Sequence, residues 1–130
     1  MLLTADTVVV LDGQILGKPS DRKENGQYLR RLAGQTHRVI TGVCLLEVDT
    51  GRQALAHEVS SVRFRNLSEE EIRAYCDSDE GLDKAGGYGI QGAAGKFVAE
   101  VIGPYDNIVG LPVALVCRLL EENGWNVARR

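Results

Sequence analysis

The pair Asp12-Gly13 is the feature that most constrains the fold of this chain, because it separates the apolar stretches "TVVVL" and "QIL". An Asp-Gly pair favours the left-handed backbone of a two-residue turn, and that turn joins neighbouring antiparallel strands. The β-branched run at residues 8–10 favours a buried strand before the turn. The sequence therefore predicts a β-hairpin that ends near Lys18-Pro19.

Three later segments carry helical patterns. "SDRKENGQYLRRLAG" predicts a helix with Ser20 or Asp21 as its N-cap. "SEEEIRAYC" opens with Ser68 and Glu71 at the spacing of a capping box. "LPVALVCRLLEENG" predicts a C-terminal helix, with Pro112 in its first turn.

Strand patterns lie between these helices. "THRVITGVCLLEVD" and "QALAHEVSSVRFRN" predict two strands joined at Asp49–Gly51, and "KFVAEVIG" predicts another. Strands and helices alternate without a clean βαβ repeat. We therefore expect an α/β fold in which helices flank a mixed, twisted sheet, formed by one domain over residues 1–130.

Composition narrows the class of protein. The net charge of -3 offers no electrostatic case for binding nucleic acid or a membrane surface. No apolar run reaches the length of a membrane span, and we expect no signal peptide. Cys44, Cys76 and Cys117 are widely spaced, which favours reduced thiols in a cytoplasmic protein over zinc ligands or disulfides.

Two charged residues near the predicted hairpin are candidates for chemistry. Asp6 lies in an apolar strand, where a buried carboxylate must be paired, hydrogen-bonded or bound to metal. It could hold Mg²⁺ or act as a general base toward water, or it could simply accept backbone N–H bonds. Lys18 could reach a phosphate, or it could be a solvated lysine at a turn.

The stretch "DKAGGYGIQGAAG", residues 83–95, is the third candidate. Its glycines let backbone approach a ligand, while Asp83 and Lys84 offer opposite charges and Gln91 offers a donor and an acceptor. The alternative is a tight loop closed by a salt bridge. His37 and His57 lie on predicted strands without a matching nucleophile, so we expect them at the surface or an edge.

From the residues alone, two functions stay open. One is hydrolysis of a phosphate ester or anhydride, and the other is a non-catalytic ligand-binding module. The motifs "ADTVVVLDGQILGKP", "LRRLAGQTHRVITGV", "FRNLSEEEIRAYC", "DKAGGYGIQG" and "NIVGLP" occur here in the order seen in Maf-like proteins. The chain resembles that family over nearly its whole length. The resemblance implies a Maf and inosine-triphosphatase-like fold and a nucleoside triphosphate pyrophosphatase.

The resemblance also implies roles for individual residues. Asp6 matches the general base, Lys18 matches a lysine of the phosphate site, and Asp83 with Lys84 matches an Asp-Lys pair in the same cleft. Asp6 and Asp83 are the implied ligands of a divalent cation, Mg²⁺ or Mn²⁺. Water would attack a phosphoanhydride and release a nucleoside monophosphate and pyrophosphate.

Substrate binding is implied for a second group, Thr7, Gln91 and the adjacent Gly92, and base selection for Thr7 and Gln91. Thr7 with Gln91 resembles the branch of the family that prefers dTTP and UTP, including modified pyrimidine nucleotides. The branch that acts on 7-methyl-GTP tends to carry another polar residue after the aspartate and an acid in place of the glutamine. The nucleotide is thus the expected partner of this cleft.

One family motif has no match. The family's Ser-x-Ser-Pro-Arg-Arg loop, with its phosphate-binding arginines, is not found in this sequence, and neither are the helix and the glutamate-bearing strand that follow it. We therefore expect an N-terminally truncated version of the fold, with apolar sheet surface that favours a homodimer. The alternative to an active enzyme is a catalytically impaired module that binds a nucleotide or a protein.

Overall fold

A computed structural model describes residues 1–125. Within these residues lie five strands and four helices, with two short 3₁₀ turns at Ala85–Gly87 and Ala93–Phe97. The strands are β1 (Leu2–Leu11), β2 (Gln14–Leu16), β3 (Thr36–Leu46), β4 (Gln53–Phe64) and β5 (Val98–Ile102). The helices are α1 (Arg22–Leu32), α2 (Glu69–Asp77), α3 (Tyr105–Val109) and α4 (Val113–Glu122).

The sheet has the order β2-β1-β3-β4-β5, and this confirms the predicted α/β class. Its four strand pairs are all antiparallel, so the described sheet is antiparallel where a mixed one was predicted. The physical reason is that short turns connect strands that are neighbours in both the sequence and the sheet. Asp12 and Gly13 adopt left-handed backbone, with φ of 50° and 77°, and join β1 to β2 directly, while residues 47–52 join β3 to β4.

One face of the sheet carries the core. Side chains alternate along a strand, so odd-numbered residues of β3 share this face. Near Val9, Val39 and Phe64 it packs against α1, α2 and the glycine-rich segment. Near Val43 and Ala54 it packs against α4 instead.

The opposite face exposes apolar side chains. Leu55 is 68% exposed and Val59 is 37% exposed, and both belong to β4. This agrees with the apolar sheet surface that the sequence led us to expect. Among residues 1–125, each helix is too short or too polar to cross a bilayer.

The starts of α1 and α2 follow the predicted caps, whereas Pro112, predicted in the first turn of the C-terminal helix, is the N-cap of α4. The Asp21 carboxylate accepts a hydrogen bond from the Glu24 amide at 2.8 Å and begins α1. Ser68 and Glu71 form the predicted capping box at the start of α2. Arg65 pairs with the Glu71 carboxylate, and together with the Ser68 amide it lowers the pKa of Glu71 to about 2. This ion pair ties α2 to the residue that follows β4.

Candidate active site

A cleft of about 490 Å³ lies between the edge of β1, the glycine-rich segment and α3. Its lining includes every residue that the sequence singled out for catalysis, substrate binding or metal binding. These are Asp6, Thr7, Lys18, Asp83, Lys84, Gln91 and Gly92. The fold thus brings together residues from three separate parts of the chain.

The first half of the glycine-rich segment is held against β1. The Gly86 amide donates to the Gly17 carbonyl at 3.1 Å, which places Lys18 and Lys84 on neighbouring stretches of backbone. Gly86 has a φ of 75°, and a Cβ there would lie 2.9 Å from a methyl carbon of Val9. Only glycine satisfies both the backbone and the packing at this position.

Two buried side chains hold the middle of the segment. The Asn25 amide group donates to the Gly87 carbonyl at 2.7 Å, and Asn25 is fully buried on α1. The Gly89 amide donates to the Tyr75 hydroxyl at 3.0 Å. Burial is the main reason that the pKa of Tyr75 is raised to about 12, so this hydroxyl stays protonated.

The end of the segment is held by Glu80, a cleft residue that sequence reasoning missed. Its carboxylate accepts the Ala93 amide at 3.1 Å, and a Cβ on Gly92 would overlap it. The absence of a Cβ at Gly92 leaves the space that the Glu80 carboxylate occupies beside Gln91, and a larger residue there would displace that carboxylate. No local pattern marks Glu80, since its partner lies 13 residues further along the chain.

Asp6 differs from its prediction. The side chain is exposed rather than buried, because β2 pairs only with Val9–Leu11 and leaves this part of β1 at the sheet edge. Among residues 1–125, no side chain forms a hydrogen bond with the Asp6 carboxylate. The carboxylate is thus free to meet water and ligand in the cleft.

The other charged residues of the cleft are also exposed. The Lys84 ammonium lies 3.7 Å from the Asp83 carboxylate, and the two side chains are 49% and 77% exposed. An ion pair this open contributes little to stability, so a ligand can replace it at small cost. Lys18 is exposed as well.

The carboxylates of the cleft are candidate ligands for a divalent cation. Asp6, Glu80 and Asp83 line the cleft, but residues 1–125 contain no group of three or more His, Cys, Asp or Glu side chains placed to hold a metal. Mg²⁺ in phosphate-binding sites takes only one or two carboxylates and completes its shell with water and phosphate oxygens. The donor set therefore suits such a cation, and does not form an all-protein cage.

Thr7 is linked to a buried network behind the cleft. Its hydroxyl oxygen lies 2.9 Å from that of Thr41, the residue directly opposite on β3. The Thr41 hydroxyl donates to the Asn107 carbonyl at 3.1 Å, at the start of the stretch 107–110. Ile108, Val109 and Gly110 of this stretch line the cleft and were not predicted as site residues.

His37 also departs from its prediction. It is 1% exposed, not at the surface, and its Nε2 lies 2.5 Å from the hydroxyl oxygen of Tyr88, another lining residue. Burial lowers the pKa of His37 to about 4 and raises that of Tyr88. His57 is exposed, as expected. The difference arises because His37 lies on the covered face of β3.

A protein-family model described as Maf-like protein matches residues 1–123. The chain belongs to the Maf-like family. That match covers the edge strand, the glycine-rich segment and α3, which together form the cleft.

Curated relatives of this Maf-like protein share a name. A dTTP/UTP pyrophosphatase of Syntrophomonas wolfei is 46% identical over 129 residues, which is 99% of this chain and 68% of that protein. A dTTP/UTP pyrophosphatase of Bdellovibrio bacteriovorus is 47% identical, over 94% of this chain and 64% of that protein. One of Deinococcus radiodurans is 49% identical, over 95% of this chain and 63% of that protein. The chain thus spans about two thirds of the length of these relatives.

Proposed function

We propose that this Maf-like protein is a nucleoside triphosphate pyrophosphatase that acts on dTTP, UTP and modified pyrimidine nucleotides. The observation that carries the proposal is the single cleft that contains all seven predicted residues. Relatives named dTTP/UTP pyrophosphatase, 46% to 49% identical to this chain, support the choice of nucleotide.

The exposed carboxylate of Asp6 is the proposed general base. It takes a proton from water as the water oxygen attacks the α-phosphorus. The bond from that phosphorus to the bridging oxygen breaks, and the electron pair leaves with pyrophosphate while the nucleoside monophosphate remains. Asp6 suits this role because no protein donor occupies its oxygens among the described residues.

Lys18 and Lys84 would bind the phosphate oxygens and neutralise charge that develops as pyrophosphate leaves. Bound Mg²⁺ or Mn²⁺, held by Asp6 and Asp83, would neutralise further phosphate charge. Thr7, Gln91 and the backbone at Gly92 would contact the pyrimidine. We place this reaction in the cytoplasm and in a homodimer, with a free nucleotide rather than a nucleic acid polymer or membrane as partner.

An alternative is a module that binds a nucleotide or a protein without turnover. Among the described residues, Lys18 and Lys84 are the only cations that line the cleft. Phosphoryl chemistry usually employs a fuller set of cationic groups around the phosphates. This observation favours binding without fast catalysis.

Pyrophosphate release separates the two functions. We expect the chain with Mg²⁺ or Mn²⁺ to release pyrophosphate from dTTP and UTP faster than from 7-methyl-GTP. Asp6→Asn should abolish release, and Asp12→Asn, which changes a carboxylate of the hairpin turn, should not. A folded chain that binds nucleotide without releasing pyrophosphate would instead support the binding module.

A further inference from the structure

We propose that the buried Thr41 fixes the hydrogen-bond polarity of Thr7, so that the Thr7 hydroxyl can only accept a hydrogen bond from a base. This polarity would select uracil and thymine over cytosine. The inference rests on the proposed function and concerns the pyrimidine side of the same cleft. Thr41 is a positioning residue here, because it is not among the lining residues.

The proton count along the network gives the polarity. A threonine hydroxyl has one proton to donate and two lone pairs. The Asn107 carbonyl can only accept, and the Thr41 hydroxyl lies 3.1 Å from it. Once Thr41 donates to this carbonyl, its contact of 2.9 Å with Thr7 needs the proton of Thr7. Thr7 then has lone pairs left for a ligand and no proton.

The opposite hydrogen-bond direction, in which Thr41 donates to Thr7, is less favourable because Thr41 is buried. If Thr41 donated to Thr7, its oxygen would face the Asn107 carbonyl across 3.1 Å with no proton between them. Thr41 is fully buried, so water cannot relieve that contact. The arrangement that satisfies both contacts is the one in which Thr7 donates inward.

The Asn107 carbonyl is held in place by its own side chain. Asn107 is fully buried, and its amide group donates to the Val39 carbonyl at 3.1 Å and to the Glu58 carbonyl at 3.2 Å. The same group lies 3.1 Å from the Ser60 hydroxyl. These contacts fasten α3 to β3 and β4, and they hold the Asn107 backbone, with its carbonyl, beside Thr41.

The pyrimidine bases differ at N3, the ring atom that we place opposite the Thr7 hydroxyl. Uracil and thymine carry a proton on N3, whereas N3 of cytosine is an acceptor. Gln91 cannot make this distinction alone, because its amide can turn over and present either a donor or an acceptor. A hydroxyl whose proton is already committed presents one polarity only. Thr7 is therefore the group that distinguishes the two classes of pyrimidine.

The experiment measures kcat/KM for UTP and for CTP, and compares their ratio among variants. We expect Thr41→Val to lower the UTP-to-CTP ratio about tenfold, because Thr7 becomes free to donate to cytosine. Thr41→Ser keeps the hydroxyl and should restore the ratio. Thr36→Val is the matched control, since it makes the same substitution at an exposed position of β3 outside the network.

A second measurement needs no variant. The triphosphate of 3-methyluridine has no N3 proton, and we expect its kcat/KM on the wild-type chain to fall at least about tenfold below that of UTP. An active wild type whose ratio is unchanged by Thr41→Val, or which accepts the methylated nucleotide equally well, would overturn the inference and leave the proposed function standing. A wild type that neither hydrolyses nor binds UTP would overturn both.

Discussion

The imidazole of His37 and the phenol of Tyr88 share a hydrogen bond of 2.5 Å inside the core, and the Tyr88 ring also forms part of the cleft wall. The same imidazole makes an edge-to-face contact with Phe64, at 5.1 Å between ring centroids. The wall of the cleft is thus continuous with the core of the sheet. We therefore expect a change in the charge of His37 to affect both the core and the cleft wall.

Acid should destabilise this protein through His37. Its pKa is about 4 in the folded chain against an ordinary value of 6.5, so the unfolded chain binds a proton first as the pH falls. The neutral His37 stabilises the folded chain fully above pH 6.5, and this stabilisation is lost as the pH falls toward 4. The total loss is roughly 3 kcal/mol of unfolding free energy. Urea unfolding between pH 4 and 7 measures it.

His37→Gln should flatten that pH dependence, and His57→Gln, which replaces an exposed imidazole, should preserve it. An equally steep fall in His37→Gln would assign the effect to other groups. Glu71 contributes to the fall only near its acid end, because the ordinary value of 4.5 and the folded pKa of about 2 place the loss of its stabilisation between those two pH values.

Gly86→Ala should destabilise the fold and the cleft together. Positive φ costs alanine about 1 kcal/mol, and overpacking against Val9 adds about 1–3 kcal/mol. Gly51→Ala is the matched control, because Gly51 has a similar φ of 74° but open space around it. Thermal or urea unfolding of the two variants isolates the packing against Val9. Equal losses in both would show that this close approach carries no cost.

Lys18→Ala should weaken the binding of triphosphate. Removing a cation that contacts a phosphate is expected to raise KM for dTTP about tenfold. The increase should be no larger, because Lys18 is exposed and water screens its charge. Lys23→Ala removes an exposed lysine of α1 outside the cleft and should leave KM unchanged. Steady-state kinetics at fixed ionic strength measures both. An unaltered KM in Lys18→Ala would remove that lysine from the phosphate site.

Gln91→Glu should shift the preference away from dTTP and UTP. The carboxylate loses the amide donor that a pyrimidine carbonyl would meet, so kcat/KM for UTP should fall about tenfold or more. Gln27→Glu makes the same change on the exposed side of α1 and serves as control. A panel of nucleotides gives the profile. The same profile in Gln91→Glu and wild type would count against Gln91 as a base contact.

Local signals predicted most of the fold. The Asp12-Gly13 turn and the caps at Asp21 and Ser68 are determined within a few residues, and each was found where the sequence placed it. Short α3 was not predicted, because its five residues follow Pro104 without a cap and depend on Asn107 packing into the sheet.

Long-range contacts explain the errors at the site. The strand pattern around Asp6 could not show that β2 would end short and leave that residue at an edge. Burial of His37 depends on helices and on Tyr88, 51 residues away. Glu80 was missed for the same reason, since only the folded chain brings it to Ala93.

Three backbone amides in the glycine-rich segment can report whether the cleft is formed. The amides of Gly86, Gly89 and Ala93 each donate to a group elsewhere in the chain, namely Gly17, Tyr75 and Glu80. Slow deuterium exchange at these three amides would signal a formed cleft before any nucleotide is added. Inactivity with protected amides would then indicate a defect of chemistry, whereas inactivity with rapid exchange would indicate that the cleft had opened.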